Sequence, residues 1–185
     1  MTLQLKRFKI SVEEYYKMAE VGILKPTDRV ELIEGEIIAM SPINTPHMGI
    51  VNILNRLLFK NILEDVTISI QNPLRTDQLN EPEPDLLVAK FRKDGYSKKH
   101  ISPSDTMLVI EVADSSLKYD RQVKIPLYAQ AKIKEYWIVN IQKEQIEQYS
   151  QPEGDKFLSK KIVRKNGTII CGSIDFALAV ADIFI

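Results

Sequence analysis

The sequence predicts a mixed α/β fold, with helices and strands interspersed along the chain, on three observations. Apolar residues recur every three or four positions over residues 47–64, the spacing of a helix packed on one side. Two dense apolar runs, 85–89 and 107–112, read as central strands covered on both faces. A strand pair at 135–141 and 145–150 follows a second helical pattern at 120–132. With 185 residues, 44% hydrophobic and 27% charged, the chain is long enough to bury one core, and one domain over 1–185 is expected.

Each element has a local cause. Ser11 and Glu14 have capping-box spacing, which starts a short helix over 12–20. Residues 29–40 form a hairpin around a tight turn at Gly35, with Val30, Leu32, Ile37 and Ile38 as its apolar members. A proline-bearing loop, 41–46, leads into the long helix, whose buried stripe is Met48, Val51, Leu54, Leu58 and Ile62, widened by Ile50, Ile53 and Leu57. Residues 66–71 alternate as a half-buried strand, and Asn72-Pro73 bends the chain. Asp120 is read as the cap of the 120–132 helix, where Val123, Leu127 and Ala131 make the buried stripe and Pro126 produces a first-turn kink. Residues 157–163 are an edge-strand candidate, and Tyr136 and Trp137 are core aromatics.

Composition removes several functions. Lys+Arg and Asp+Glu both number 25, so any basic surface must be local. Cys171 is the only cysteine, which excludes an intramolecular disulfide and a cysteine zinc site and suits a reducing compartment. Seven glycines include no phosphate-cradling loop. The first ten residues lack the apolar core of a signal peptide, and no run approaches the roughly 18 apolar residues of a membrane span. A cytoplasmic protein without membrane contact is expected.

Three residues carry the chemistry. Asp85 opens one apolar run, Glu111 closes the other, and Lys124 follows in a helix beside it. Two carboxylates on neighbouring strands can hold a hard divalent cation, while an ammonium can orient water or steady a phosphoryl oxygen. Each has a plainer explanation: Asp85 capping a turn, Glu111 and Lys124 forming a structural ion pair.

The motifs together resemble a known family. Pro84-Asp85, the run Val109-Ile110-Glu111-Val112 with Asp114-Ser115-Ser116, and Asp120-Arg121-Gln122-Val123-Lys124 with Tyr128-Ala129 stand in its order and spacing. So do Glu31-Leu32-Ile33-Glu34-Gly35-Glu36, Met40-Ser41-Pro42 with His47, and Glu135-Tyr136-Trp137-Ile138-Val139. Across residues 29–139 the chain is similar to the Uma-two-type restriction endonucleases of the PD-(D/E)XK nuclease superfamily.

The resemblance implies a restriction endonuclease-like core, a mixed sheet flanked by helices. It implies a Mg2+-dependent DNA endonuclease, with Mn2+ as a substitute. Asp85 and Glu111 would be the metal ligands, joined by the backbone carbonyl of Val112. Ala113 occupies the superfamily's usual lysine position, and in this family the lysine lies in the following helix, here Lys124; Lys118 and Arg121 are close enough in sequence to compete for that role. Cutting both strands implies a homodimer, with DNA as partner.

Accessory roles fall to Glu31 and His47, His47 touching phosphate or carrying a proton, with a surface histidine at a helix end as the equal alternative. Glu31 is the best placed of three turn-flanking glutamates, with Glu34 and Glu36, although all three are expected to face solvent. Lys90, Arg92, Lys93, Lys98 and Lys99, in a loop over 90–100, and Arg121 are candidates for DNA-phosphate contacts, a solvated surface being the simpler reading of that loop. Two rival functions stand beside the nuclease: an inactive member of the fold that binds nucleic acid or a protein, and a metal-dependent phosphoryl hydrolase of a small substrate in a closed pocket.

Overall fold

A computed structural model describes residues 7–62 and 65–184. Six strands form the central sheet in the order β3-β4-β5-β6-β7-β8: β3 is Val66–Ile70, β4 Leu86–Lys90, β5 Thr106–Ala113, β6 Glu135–Asn140, β7 Gln145–Glu153 and β8 Lys156–Arg164. Only β5 and β6 pair in parallel, so the sheet is mixed. The β5–β6 crossover is the helical segment that carries Lys124.

Burial on both faces explains the apolar density of β4 and β5. Leu86 and Val88 of β4, with Leu108, Ile110 and Val112 of β5, pack under helix α2, Thr45–Asn61. Leu87, Ala89, Val109 and Ala113 pack on the opposite face with Leu127, Tyr128 and the fully buried Tyr136. Glu111 lies between Ile110 and Val112, so strand alternation turns its side chain away from α2.

The N-terminal elements follow their local signals. Helix α1, Val12–Glu20, has the expected capping box, with Ser11 N–H donating to Glu14 Oε2 at 2.7 Å. Strands β1, Val30–Ile33, and β2, Glu36–Ala39, form a separate hairpin whose turn residues Glu34 and Gly35 both have left-handed φ, 50° and 70°. A Cβ on Gly35 would lie 2.9 Å from Lys9 Cβ, so both conformation and close approach require glycine there.

Several boundaries differ from expectation. Helix α2 starts at Thr45, because the Asn44 side chain accepts the His47 N–H and Pro46 fits a first turn that needs no amide. Its buried stripe begins with Ile50 and Val51, while Met48 is exposed, and the expected end at Glu64 lies outside the described residues.

The second helical segment starts before Asp120. It comprises α3, Leu117–Tyr119, a π-turn, Asp120–Lys124, and α4, Ile125–Gln130. Asp120 is therefore not a cap; it is buried within the segment and accepts a 2.7 Å bond from the Ser116 hydroxyl. The expected kink takes the form of this π-turn, which ends just before Pro126 and lets the ring, lacking an N–H, enter the first turn of α4.

A C-terminal hairpin, β9, Thr168–Cys171, and β10, Phe176–Ala179, was not anticipated. Ile169, Cys171, Phe176 and Leu178 close the α2-side core around Trp137. Among the described residues, no helix is long and apolar enough to cross a membrane.

Candidate active site

Register brings the two carboxylates together. Leu86 pairs with Ile110 in antiparallel β4 and β5, so the residue before Leu86 faces the residue after Ile110. Asp85 and Glu111 are those residues. The Asp85 N–H donates to Glu111 Oε2 at 3.3 Å, and the Val112 N–H donates to Asp85 Oδ2 at 2.9 Å.

Helical segments supply the rest. Lys124 and Tyr128, four residues apart on one face, both reach Glu111 Oε1: the ammonium at 3.3 Å, the phenol donating at 2.8 Å. His47, in the first turn of α2, has Nε2 3.0 Å from Asp85 Oδ2. Gln71 Nε2 lies 3.4 Å from the other oxygen of Asp85.

Glu31 departs from the solvent-facing expectation. It is only 3% exposed, and its carboxylate takes a 2.5 Å bond from Lys124 Nζ, a 3.0 Å bond from the Tyr119 hydroxyl and a 3.2 Å bond from the Glu83 N–H. Docking of the hairpin through the Leu32–Glu81 bridge puts it there. Glu34 is exposed, and Glu36 pairs at the surface with Arg7 and Lys9.

Glu31, His47, Asp85, Glu111, Tyr119 and Lys124 all line one pocket of about 350 Å3. Six carboxylates border it (Glu31, Glu83, Asp85, Glu111, Asp114 and Asp120) against the basic side chains Arg29, His47 and Lys124. Burial pushes the Glu111 carboxyl upward and the Lys124 ammonium opposes that rise. For Lys124 burial disfavours the charge, yet Glu111 and Glu31 outweigh it and hold the amine above its ordinary range. Burial also raises Asp120, to about 6, and is the main cause of the rise at Glu83. His47 is raised chiefly by its bond to Asp85.

The remaining sequence candidates lie elsewhere. Arg121 pairs with Glu147 of β7, and neither it nor the exposed Lys118 lines the pocket, so the ammonium facing the carboxylates is that of Lys124. The loop beginning at Lys90 leaves the end of β4 opposite Asp85, five residues or roughly 17 Å away. There Arg92 pairs with Asp94, Lys99 with Asp105, and Lys90 Nζ donates to the Ser104 carbonyl. Arg29, Glu83 and Asp114 border the site without having been singled out as candidates for it. The acidic run Glu81-Pro82-Glu83-Pro84-Asp85 was the available signal for Glu83.

The sequence profile of the Uma2 family, described as "Putative restriction endonuclease", matches residues 12–181. The chain belongs to that family. Comparison of this Uma2 chain with curated proteins gave no match. Among solved structures it is similar to a putative nuclease from Anabaena variabilis, at 15% identity and a TM-score of 0.65, over 95% of this chain and 97% of that one. The likeness shows a shared fold with a central mixed sheet flanked by helices. Every segment that suggested the family lies within the matched residues of this Uma2 chain.

Proposed function

We propose that the protein is a divalent-metal-dependent DNA endonuclease that hydrolyses phosphodiester bonds at Asp85, Glu111 and Lys124. The observation that carries this reading is the facing pair Asp85 and Glu111 with the Lys124 ammonium 3.3 Å from Glu111. Membership of a family described as restriction endonucleases supports DNA as the substrate.

The donor chemistry suits Mg2+, with Mn2+ as a substitute. Among the described residues no group of three or more His, Cys, Asp or Glu forms a metal cage. Mg2+ does not need one, because it is commonly held by one or two carboxylates and completes its shell with water and substrate phosphate. Asp85 and Glu111 would hold it, and the Val112 carbonyl is the third oxygen proposed. When bound, the cation polarises the phosphate and lowers the pKa of a coordinated water.

The chain's own groups prepare that chemistry. Lys124 is held in place from one side by Glu31 and from the other by Glu111, so its charge is oriented before substrate arrives. It would steady the negative charge that develops on the phosphoryl group. Tyr119 and Tyr128 fix the two flanking carboxylates by donating to them. His47 orients Asp85 and is placed to pass a proton at the pocket wall.

The test is a screen of single-stranded, duplex and branched DNA with Mg2+ or Mn2+. Asp85→Asn, Glu111→Gln and Lys124→Met should each lose cleavage, with circular dichroism confirming the fold. Unaltered cleavage by the folded Asp85→Asn or Glu111→Gln variant overturns the assignment. A homodimer belongs to the proposal only where both strands of a duplex are cut, and light scattering measures that state.

A further inference from the structure

We infer that the pocket takes one unpaired nucleotide, so that the preferred substrate is single-stranded or frayed DNA and not an intact duplex. The inference rests on the phosphodiester-hydrolysis reading and names the form of DNA that this same site accepts. Three independent features carry it: the size of the pocket, the unlike chemistry of its walls, and the distribution of positive charge around it.

At about 350 Å3 the pocket lies near the lower end of the roughly 300–1,000 Å3 typical of sites that enclose a small ligand. Its floor is deep. Glu111 is 6% exposed and Lys124 3% exposed, so a phosphate must descend into the pocket to meet them. A strand held in a duplex carries its paired neighbour with it, whereas an unpaired nucleotide can enter alone.

The walls differ in kind. Ile38 of β2 and Met40, Pro42 and Ile43 of the segment that follows add apolar lining to the same pocket, with Ile43 39% exposed. Apolar lining and buried charged groups in one pocket match the two ends of one nucleotide, with base and sugar on the apolar residues and phosphate at the charged ones. Paired bases inside a duplex have no face to offer such a wall, which is why proteins acting on single nucleotides bind them unpaired or extruded.

Positive charge inside the pocket is sparse for a duplex clamp. Holding duplex DNA draws on several lysines or arginines spread along its phosphates. Among the residues lining this pocket only Arg29, His47 and Lys124 are basic, and Lys124 is committed to Glu31 and Glu111. The basic loop after β4 stands at the far end of that strand, with Arg92 and Lys99 paired internally.

The experiment measures binding with Ca2+ in place of Mg2+, using one oligodeoxynucleotide carrying a single 2-aminopurine, either alone or annealed in a blunt duplex. The single strand should change its 2-aminopurine fluorescence and bind about tenfold more tightly than the duplex. Ile43→Asn should weaken single-strand binding by about tenfold and leave duplex binding unchanged, while Ile43→Val keeps it. Equal or tighter binding of the duplex, or an Ile43→Asn protein that binds the single strand as wild type does, overturns the inference. Selective single-strand binding without cleavage in Mg2+ or Mn2+ would defeat the hydrolysis reading and leave the pocket assignment standing.

Discussion

Glu147→Gln tests how the turn that carries Lys124 is anchored. The Glu147 side chain is fully buried in β7, paired with Arg121 of the π-turn and with Lys160 at 2.9 Å, and it accepts a 2.7 Å bond from the Tyr149 hydroxyl. Burial alone would raise its pKa, but the bonds from Arg121, Tyr149 and Lys160 prevail and bring it down from 4.5 to about 2. That depression corresponds to about 3 kcal/mol of stability, an upper figure because both cations are partly open to solvent screening. The folded pKa lies below the unfolded one, so this stability is fully present above 4.5 and is lost as pH falls through about 2. Urea unfolding across that window should show Glu147→Gln up to about 3 kcal/mol less stable at neutral pH, with the two curves converging in acid. Parallel curves for variant and wild type would refute the reasoning.

The other predictions concern the site itself. Lys124→Met strands Glu31 and Glu111 as buried carboxylates and should cost about 3–5 kcal/mol near neutral pH, with part of the loss recovered by adding Glu31→Gln; thermal melts of single and double variants decide. Asp120 has a folded pKa raised from 3.8 to about 6, so its ionisation opposes folding increasingly as pH rises through that range. Asp120→Asn should therefore be more stable than wild type above that range by up to about 3 kcal/mol, a difference that vanishes in acid. For His47, raised by its bond to Asp85, Mg2+ bound at Asp85 should draw the imidazole pKa back down in an NMR titration, with His100 as the internal control. An unmoved His47 curve at saturating Mg2+ argues against Asp85 as a ligand.

The placement of the candidate residues was legible in the sequence where burial and strand period determined it. Asp85 and Glu111 flank apolar runs too dense for exposed strands, and the i, i+4 spacing of Lys124 and Tyr128 was enough to put both on one helical face. Glu31 was misread because a four-residue strand beside a turn resembles a solvated hairpin; its burial depends on the long-range bridge from Leu32 to Glu81. Asp120 was misread because an aspartate before a helical pattern looks like a cap, and only the Ser116 bond reveals that the helical segment starts earlier. The hairpin of β9 and β10 was obscured by Ile170, an exposed isoleucine that breaks the apparent alternation of Ile169 and Cys171. The remoteness of the basic loop was readable in principle, since a strand of five residues must separate its two ends by roughly 17 Å.

The surplus of acid at the pocket supports the proposed site over a structural ion pair. One lysine needs one carboxylate to be neutral, and a buried pair of that kind gains little over apolar packing. Here Lys124 touches two carboxylates, Asp85 stands beside them, and Asp120 is buried close by at a raised pKa. Each added carboxylate costs desolvation and repels the others, so packing gives no reason to gather them. The surrounding fold supplies the means to hold them together: two apolar sheet faces, a docked hairpin and a π-turn tied to Glu147. A cluster of oxygen donors that is locally unfavourable and held together by the rest of the molecule supports the proposal that Asp85 and Glu111 hold a cation.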